Sequence, residues 1–175
     1  MAEPAENALT AALAAGDESA FAAAYDRYAP ALFRAATALL GCRAEAEDAL
    51  QDVFVGLARA RHDLARVTNL RAYLFAALRH AAGRRAAVRR RHRAEPLGDA
   101  TEPIAHPTQP AEERGERLER GLRALPPEQR EVLALKIDGG LTFAEVAVAL
   151  GVNANTAASR YRYALERLRA ALGEE

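Results

Sequence analysis

Phe21, Tyr25, Tyr28, Leu32, Phe33, Ala36 and Leu39–Leu40 recur at intervals of three and four residues. That period puts them on one side of an amphipathic helix that ends at Gly41 and bends near Pro30. A shorter segment, Leu9–Ala15, precedes it, and Asp17 or Ser19 in "GDES" is placed to cap the longer helix. The same spacing predicts a helix over 44–60, with Ala46, Leu50, Val53, Phe54 and Leu57 on its inner face. Another starts near Thr68–Asn69, buries Leu70, Tyr73, Leu74, Ala77 and Leu78, and runs into an arginine-rich stretch. No segment alternates as a half-buried strand would, and much of the apolar content is alanine, a strong helix former. The predicted fold class is all-α.

Residues 94–111, "AEPLGDATEPIAHPTQPA", break the pattern with four prolines in eighteen positions and few large apolar groups. Such a stretch is a flexible linker without a core, able to span about 60 Å when fully extended. It divides the chain into a tail (1–8), a first helical domain (9–93), the linker (94–111) and a second helical domain (112–175). The second domain opens with a charged helix near Glu112–Ala124. Pro126-Pro127 then start a helix with Val132, Leu133 and Leu135 as core candidates, stopped by Gly139-Gly140. Thr142 and Glu145 form a capping box ahead of Phe143, Val146, Ala147 and Leu150, Gly151 turns the chain, and Asn153 caps a last helix reaching about Leu172.

Two short helices joined by a tight turn are a helix-turn-helix. On the last helix Ala157, Tyr161, Ala164, Leu165, Leu168 and Leu172 form the inner stripe, leaving Asn155, Ala158, Ser159, Arg162 and Tyr163 outward. That is where a recognition helix sets side chains against base edges in the major groove. Arginine pairs with guanine and asparagine with adenine, each through two hydrogen bonds. Thr156 and Arg160 stand where phosphate contacts are natural. A plain helical hairpin with a polar outer face is the other reading of the same residues.

Charge sharpens the picture. The chain has 24 basic and 24 acidic residues, yet the two signs are segregated. Residues 1–58 hold nine acids and three bases, whereas 59–93 hold eleven arginines and the single acid Asp63. Residues 94–131 return to a net of −4, and 132–175 carry five of each sign. An arginine block in an otherwise acidic or neutral chain favours a polyanion contact with salt-sensitive affinity, although a solvated basic face has the same composition. The lone Cys42 excludes an internal disulfide or a cysteine zinc cluster, and is expected as a buried or half-buried thiol. The opening "MAEPAENALT" lacks a signal peptide's apolar segment, and no apolar run approaches a bilayer span, so a cytoplasmic protein without membrane contact is expected. No nucleophile arrangement or phosphate-cradling loop appears; neither an enzyme nor a cofactor is expected.

Three stretches together carry a resemblance: "AEAEDALQDVFVGLARAR" (44–61), "NLRAYLFAALRHAAGRR" (69–85) and "LPPEQREVLALKIDGGLTFAEVAVALGVNANTAASRYRYALERL" (125–168). In this order around a proline-rich linker they resemble the extracytoplasmic-function (ECF) sigma factors of the sigma-70 superfamily. The resemblance implies sigma region 2, then a flexible linker, then sigma region 4, and a role in promoter-specific transcription initiation. It implies core RNA polymerase as partner, with Asp48, Gln51 and Asp52 as polar contacts to it. It also implies recognition of double-stranded promoter DNA and of the melted nontemplate strand. For the minus-ten element the corresponding residues are Tyr73, His80, Arg84 and Arg85, with Leu64–Asn69 as the loop of a pocket for a flipped base. For the minus-thirty-five element they are Asn155, Thr156, Ser159, Arg160, Arg162 and Tyr163. Family members commonly answer to an anti-sigma factor. This chain departs from the family pattern at Tyr73 (usually tryptophan), at His80 (usually asparagine), and at Asn155 and Ala158 (usually glycine and a basic residue). Two other readings fit parts of the chain: a LuxR-type regulator sharing only the helix-turn-helix, and an adaptor that binds polymerase without opening promoters.

Overall fold

The computed structural model describes residues 4–94 and 110–173, with side chains described over 6–91 and 115–173. Helices α1 (Pro4–Ala15), α2 (Glu18–Leu40), α3 (Arg43–Arg59) and α4 (Leu70–Ala94) form the first half, with a 3-10 turn at Arg61–Arg66 between α3 and α4. The second half comprises α5 (Pro110–Ala124), α6 (Pro127–Leu133), α7 (Phe143–Leu150) and α8 (Ala154–Leu172). Among the described residues there is no strand, as the residue pattern predicts. The expected linker lies almost wholly outside the described residues.

Local chemistry sets most boundaries. Asp17 caps α2 by accepting from the Ser19 amide at 2.9 Å, and the Ser19 hydroxyl, with that amide, holds its carboxyl below the usual range. Gly41 ends the helix in the left-handed conformation, φ 67°, where an L side chain would be strained. Between these caps α2 is unbroken through Pro30. Asn69 caps α4, its Oδ1 accepting from the Ala72 amide at 2.7 Å. The α6 helix does not simply stop at the glycine pair. It widens into a π-helical turn over Ala134–Asp138, closed by Gly139 N–H donating to Ala134 O at 2.8 Å.

Leu32, Leu57, Leu64, Leu70, Leu74 and Leu78 are fully buried in the first half, where α2, α3 and α4 pack on one another. That core does not end with the first half. Val132, Leu135, Leu141, Val146 and Leu150 belong to the same continuous core, because α7 packs on α4 and the π turn packs on α2. Among the described residues, Leu125, Leu133, Ala164 and Leu168 form a separate buried cluster within the second half. Phe75 closes the seam: it is fully buried, and its ring lies against Gly139. It falls outside the stripe predicted for α4 because a second face of that helix is covered by the other half.

Polar ties reinforce the seam. Arg71 Nη2 donates to the Gly139 and Gly140 carbonyls at 2.8 and 3.0 Å, and Arg34 Nε donates to Asp138 O at 3.3 Å. Arg79 pairs with Glu131 at 3.0 Å. Two further expectations change. Tyr25, placed on the inner stripe of α2, is 50% exposed and meets Phe54 at the surface with the rings tilted, Phe54 being itself only partly covered. Cys42 is exposed, because it occupies the cap position of α3, outside the inner stripe of either flanking helix.

Candidate nucleic-acid interface

The helix-turn-helix is built by caps and one aromatic pair. Thr142 Oγ1 accepts from the Glu145 amide at 3.2 Å while Glu145 Oε2 accepts from the Thr142 amide at 2.7 Å. Burial pushes the Glu145 carboxyl up, but these bonds and the nearby Arg71 outweigh it, so the group sits below its usual range. Gly151, φ 66°, makes the turn, and Asn153 Oδ1 accepts from the Thr156 amide at 2.7 Å to start α8. Phe143 meets Tyr161 edge to face, centroids 5.5 Å apart, locking α7 against α8.

With Ala157, Ala164 and Leu168 buried, the outer side of α8 is fixed. Asn155, Arg162 and Tyr163 are exposed, and Ser159 and Arg160 are half-buried beside them. Positions 155, 159, 162 and 163 share one helical face. The Arg162 guanidinium lies 5.1 Å from the centroid of the Tyr163 ring, and its only ion pair among the described residues, to Glu166, is long at 3.9 Å. That leaves its donor fork facing solvent, in reach of a base edge. Thr156 is half-buried and its amide is already engaged by the Asn153 cap, so only its hydroxyl is open to a phosphate.

On α4, His80 and Arg84 are exposed and Tyr73 is half-buried. Their spacing sets them on a face apart from Arg71, Phe75 and Arg79, which meet the second half. Docking of the halves therefore leaves this face outward. Arg85 does not join it. Its guanidinium forks onto α3, Nη1 to Asp48 at 3.0 Å and Nη2 to Asp52 at 2.9 Å. Arg89 makes a parallel tie to Glu45 at 2.7 Å and to Leu40 O at 2.9 Å. The segregated charges of the first half thus meet as ion pairs between two packed helices.

Asp48, Gln51 and Asp52 are exposed on one side of α3. Asp48 and Gln51 also border a shallow apolar groove between α2 and α3, lined by Phe21, Tyr25, Leu50 and Phe54. The three- and four-residue spacing gives no sign of this groove, since it places Tyr25 and Phe54 on the inner stripes of their helices. Among the described residues no His, Cys, Asp and Glu cluster could hold a metal ion, and no helix is long and apolar enough to cross a membrane.

The described residues form an all-helical fold of bipartite design, the second half carrying a helix-turn-helix. Residues 24–94 match the family described as Sigma-70 region 2, and residues 115–168 match Sigma-70, region 4. Among solved structures, CnrH in complex with the cytosolic domain of CnrY has a TM-score of 0.72 at 25% identity, over 95% of this chain and 96% of that one. The sigma factor RpoE in complex with the anti-sigma factor NepR from Bartonella quintana has a TM-score of 0.69 at 27% identity, over 87% of this chain and 96% of that one. No curated protein matches the chain in sequence. The chain belongs to the ECF sigma factors of the sigma-70 family, which are non-enzymatic factors of transcription initiation.

Proposed function

We propose that the chain binds core RNA polymerase and directs it to promoters by reading a minus-thirty-five element with α8 and a minus-ten element with α4. The observation that carries this reading is the outward face of α8, where Asn155, Ser159, Arg162 and Tyr163 stand on a helix held by two caps. In the first half, Tyr73, His80 and Arg84 form the face for the melted nontemplate strand, which a flipped base enters beside Leu64–Asn69. Polymerase docks on α3, where Asp48 and Gln51 edge the groove that holds Tyr25 and Phe54, and Asp52 is exposed beside them. An apolar centre with a charged rim is the usual make-up of a stable protein contact. An anti-sigma factor is a further partner of this reading, in keeping with the complexes of the two similar structures.

The two promoter elements lie about 25 base pairs, or roughly 85 Å, apart along the duplex. Reading both requires the halves to part at the seam of Phe75, Leu141 and Val146. Parting exposes apolar surface, so polymerase has to cover it, and the free chain stays closed and binds promoters poorly. Tethering then raises the effective concentration of α8 once the first half is engaged.

Run-off transcription with core polymerase on a genomic promoter library tests the reading. Wild-type chain is expected to start transcripts at defined sites. Arg162→Ala is expected to lose about 1–3 kcal/mol of discrimination in the minus-thirty-five element alone, and His80→Ala to change selection in the minus-ten element alone. Failure of the wild-type chain to associate with core polymerase refutes the proposal, and so does tight promoter-specific binding by the chain alone.

A further inference from the structure

Three observations about Arg85 bear on how the proposed function is regulated. It lies in the arginine block of α4, yet both its terminal nitrogens are bonded to α3 carboxylates. Its side chain is 26% exposed, whereas those of Asp48 and Asp52 are 60% and 46% exposed. Its Nε is buried and makes no hydrogen bond among the described residues. The geometry is asymmetric: anything approaching from solvent meets the carboxylates before the guanidinium. A phosphate reaches Arg85 only after the fork on α3 opens. A cationic group arriving at Asp48 and Asp52 competes with Arg85 directly.

We infer that Arg85 is an internal counter-ion that couples the docking of a partner on α3 to the DNA affinity of α4. In the free chain the fork withholds Arg85 from DNA and partly neutralises the acidic pair. A partner that supplies its own cations to Asp48 and Asp52 releases the guanidinium, which then turns to a phosphate. Linkage makes the effect reciprocal: capture of Arg85 by DNA frees the carboxylates and tightens the partner by the same factor. Arg89, tied to Glu45 and the Leu40 carbonyl, holds the two helices in register while the fork exchanges. The inference rests on the proposed docking of core polymerase on α3. Partly exposed pairs of this kind are individually weak, so the coupling is about three- to tenfold.

Two arms test it with the full-length chain. In the first, fluorescence anisotropy measures affinity for core polymerase. Arg85→Ala is expected to bind about three- to tenfold more tightly than wild type, while Arg90→Ala, the same charge change on an exposed neighbour, is expected to match wild type. In the second, binding of the chain alone to a nonspecific duplex is titrated with salt. Asp48→Asn with Asp52→Asn is expected to raise affinity and steepen the log–log salt slope by about one. Adding Arg85→Ala is expected to abolish that gain, and Glu47→Gln on the same helix is expected to give none. Equal polymerase affinities for the two arginine variants overturn the inference. So does a DNA gain that persists without Arg85, or that Glu47→Gln reproduces. A wild-type chain that ignores core polymerase defeats the proposed function and the coupling with it. The salt-slope arm still decides separately whether the fork masks a DNA contact.

Discussion

In the first half, α2, α3 and α4 pack on one another, and Leu57, Leu64, Leu74 and Leu78 are fully buried. In the second, α7 packs on both α8 and α4, so Val146 and Leu141 share a core with the first half. Among the described residues, the buried cluster private to the second half is four residues, one of them alanine. Charge follows the same division. Among the described residues, the first half adds pairs between helices, Arg85 with Asp48 and Asp52 and Arg89 with Glu45, to the one-turn pair Arg43–Glu47, whereas the pairs within the second half, Arg123–Glu119 and Arg162–Glu166, are one helical turn apart. The long helices of the first half pack on one another; α7 of the helix-turn-helix completes its burial on α4, and Phe75 of α4 completes its own against the second half.

Phe75→Ala tests that contrast most severely. Removing a fully buried ring from the seam is expected to cost about 3–5 kcal/mol, measured by urea unfolding, and to loosen α7 and the π turn before α2 or α3. Leu57→Ala, deep in the first half, is expected to cost about 2–5 kcal/mol while hydrogen exchange shows both halves weakened together. Should the two variants give the same exchange pattern, the halves are not unequal in this way.

Gly139→Ala is next in size. The backbone there is ordinary at φ −76°, so the glycine is required for space alone. An added Cβ would come within 2.7 Å of both the Leu135 carbonyl and the Phe75 ring. Neither a helix carbonyl nor a buried ring yields easily, and the expected cost is about 1–3 kcal/mol, with the seam affected rather than α8.

Thr142→Ala removes half of the capping box and is expected to cost about 1 kcal/mol, read as a lower melting temperature at neutral pH. Glu145 adds a sign. Its folded pKa lies below its ordinary value of 4.5, so its stabilising contribution is present above that value and is lost as pH falls through the lower folded value. Asp138, raised by burial against the opposing influence of Arg34, works the other way, favouring the fold when protonated. The gap between wild type and Thr142→Ala should therefore narrow on acidification below about pH 4.5. A gap that is constant down to pH 2 would show that the carboxylate does not support the cap.

The caps at Asp17, Thr142 and Asn153, the turn at Gly151, the inner stripe of α8 and its outward Asn155, Arg162 and Tyr163 are all legible along the chain. Each depends on residues within about two turns of one another, and local hydrogen bonding with a 3.6-residue period settles such relations before any tertiary contact forms. Other features depend on partners far apart in sequence. Arg85 meets α3 across 33 and 37 residues, Arg71 meets Gly139 across 68, and Arg34 meets Asp138 across 104. Periodicity carries no information about which second face of a helix another element will cover. Hence Phe75 joins the core, Tyr25 comes to the surface, and an arginine from a basic run is held by acids instead of standing free. The sequence by itself determined the helices, their caps and the side of α8 turned outward. Only packing between distant segments decided that both halves share one core, because burial is a property of surfaces brought together and not of the pattern on either one.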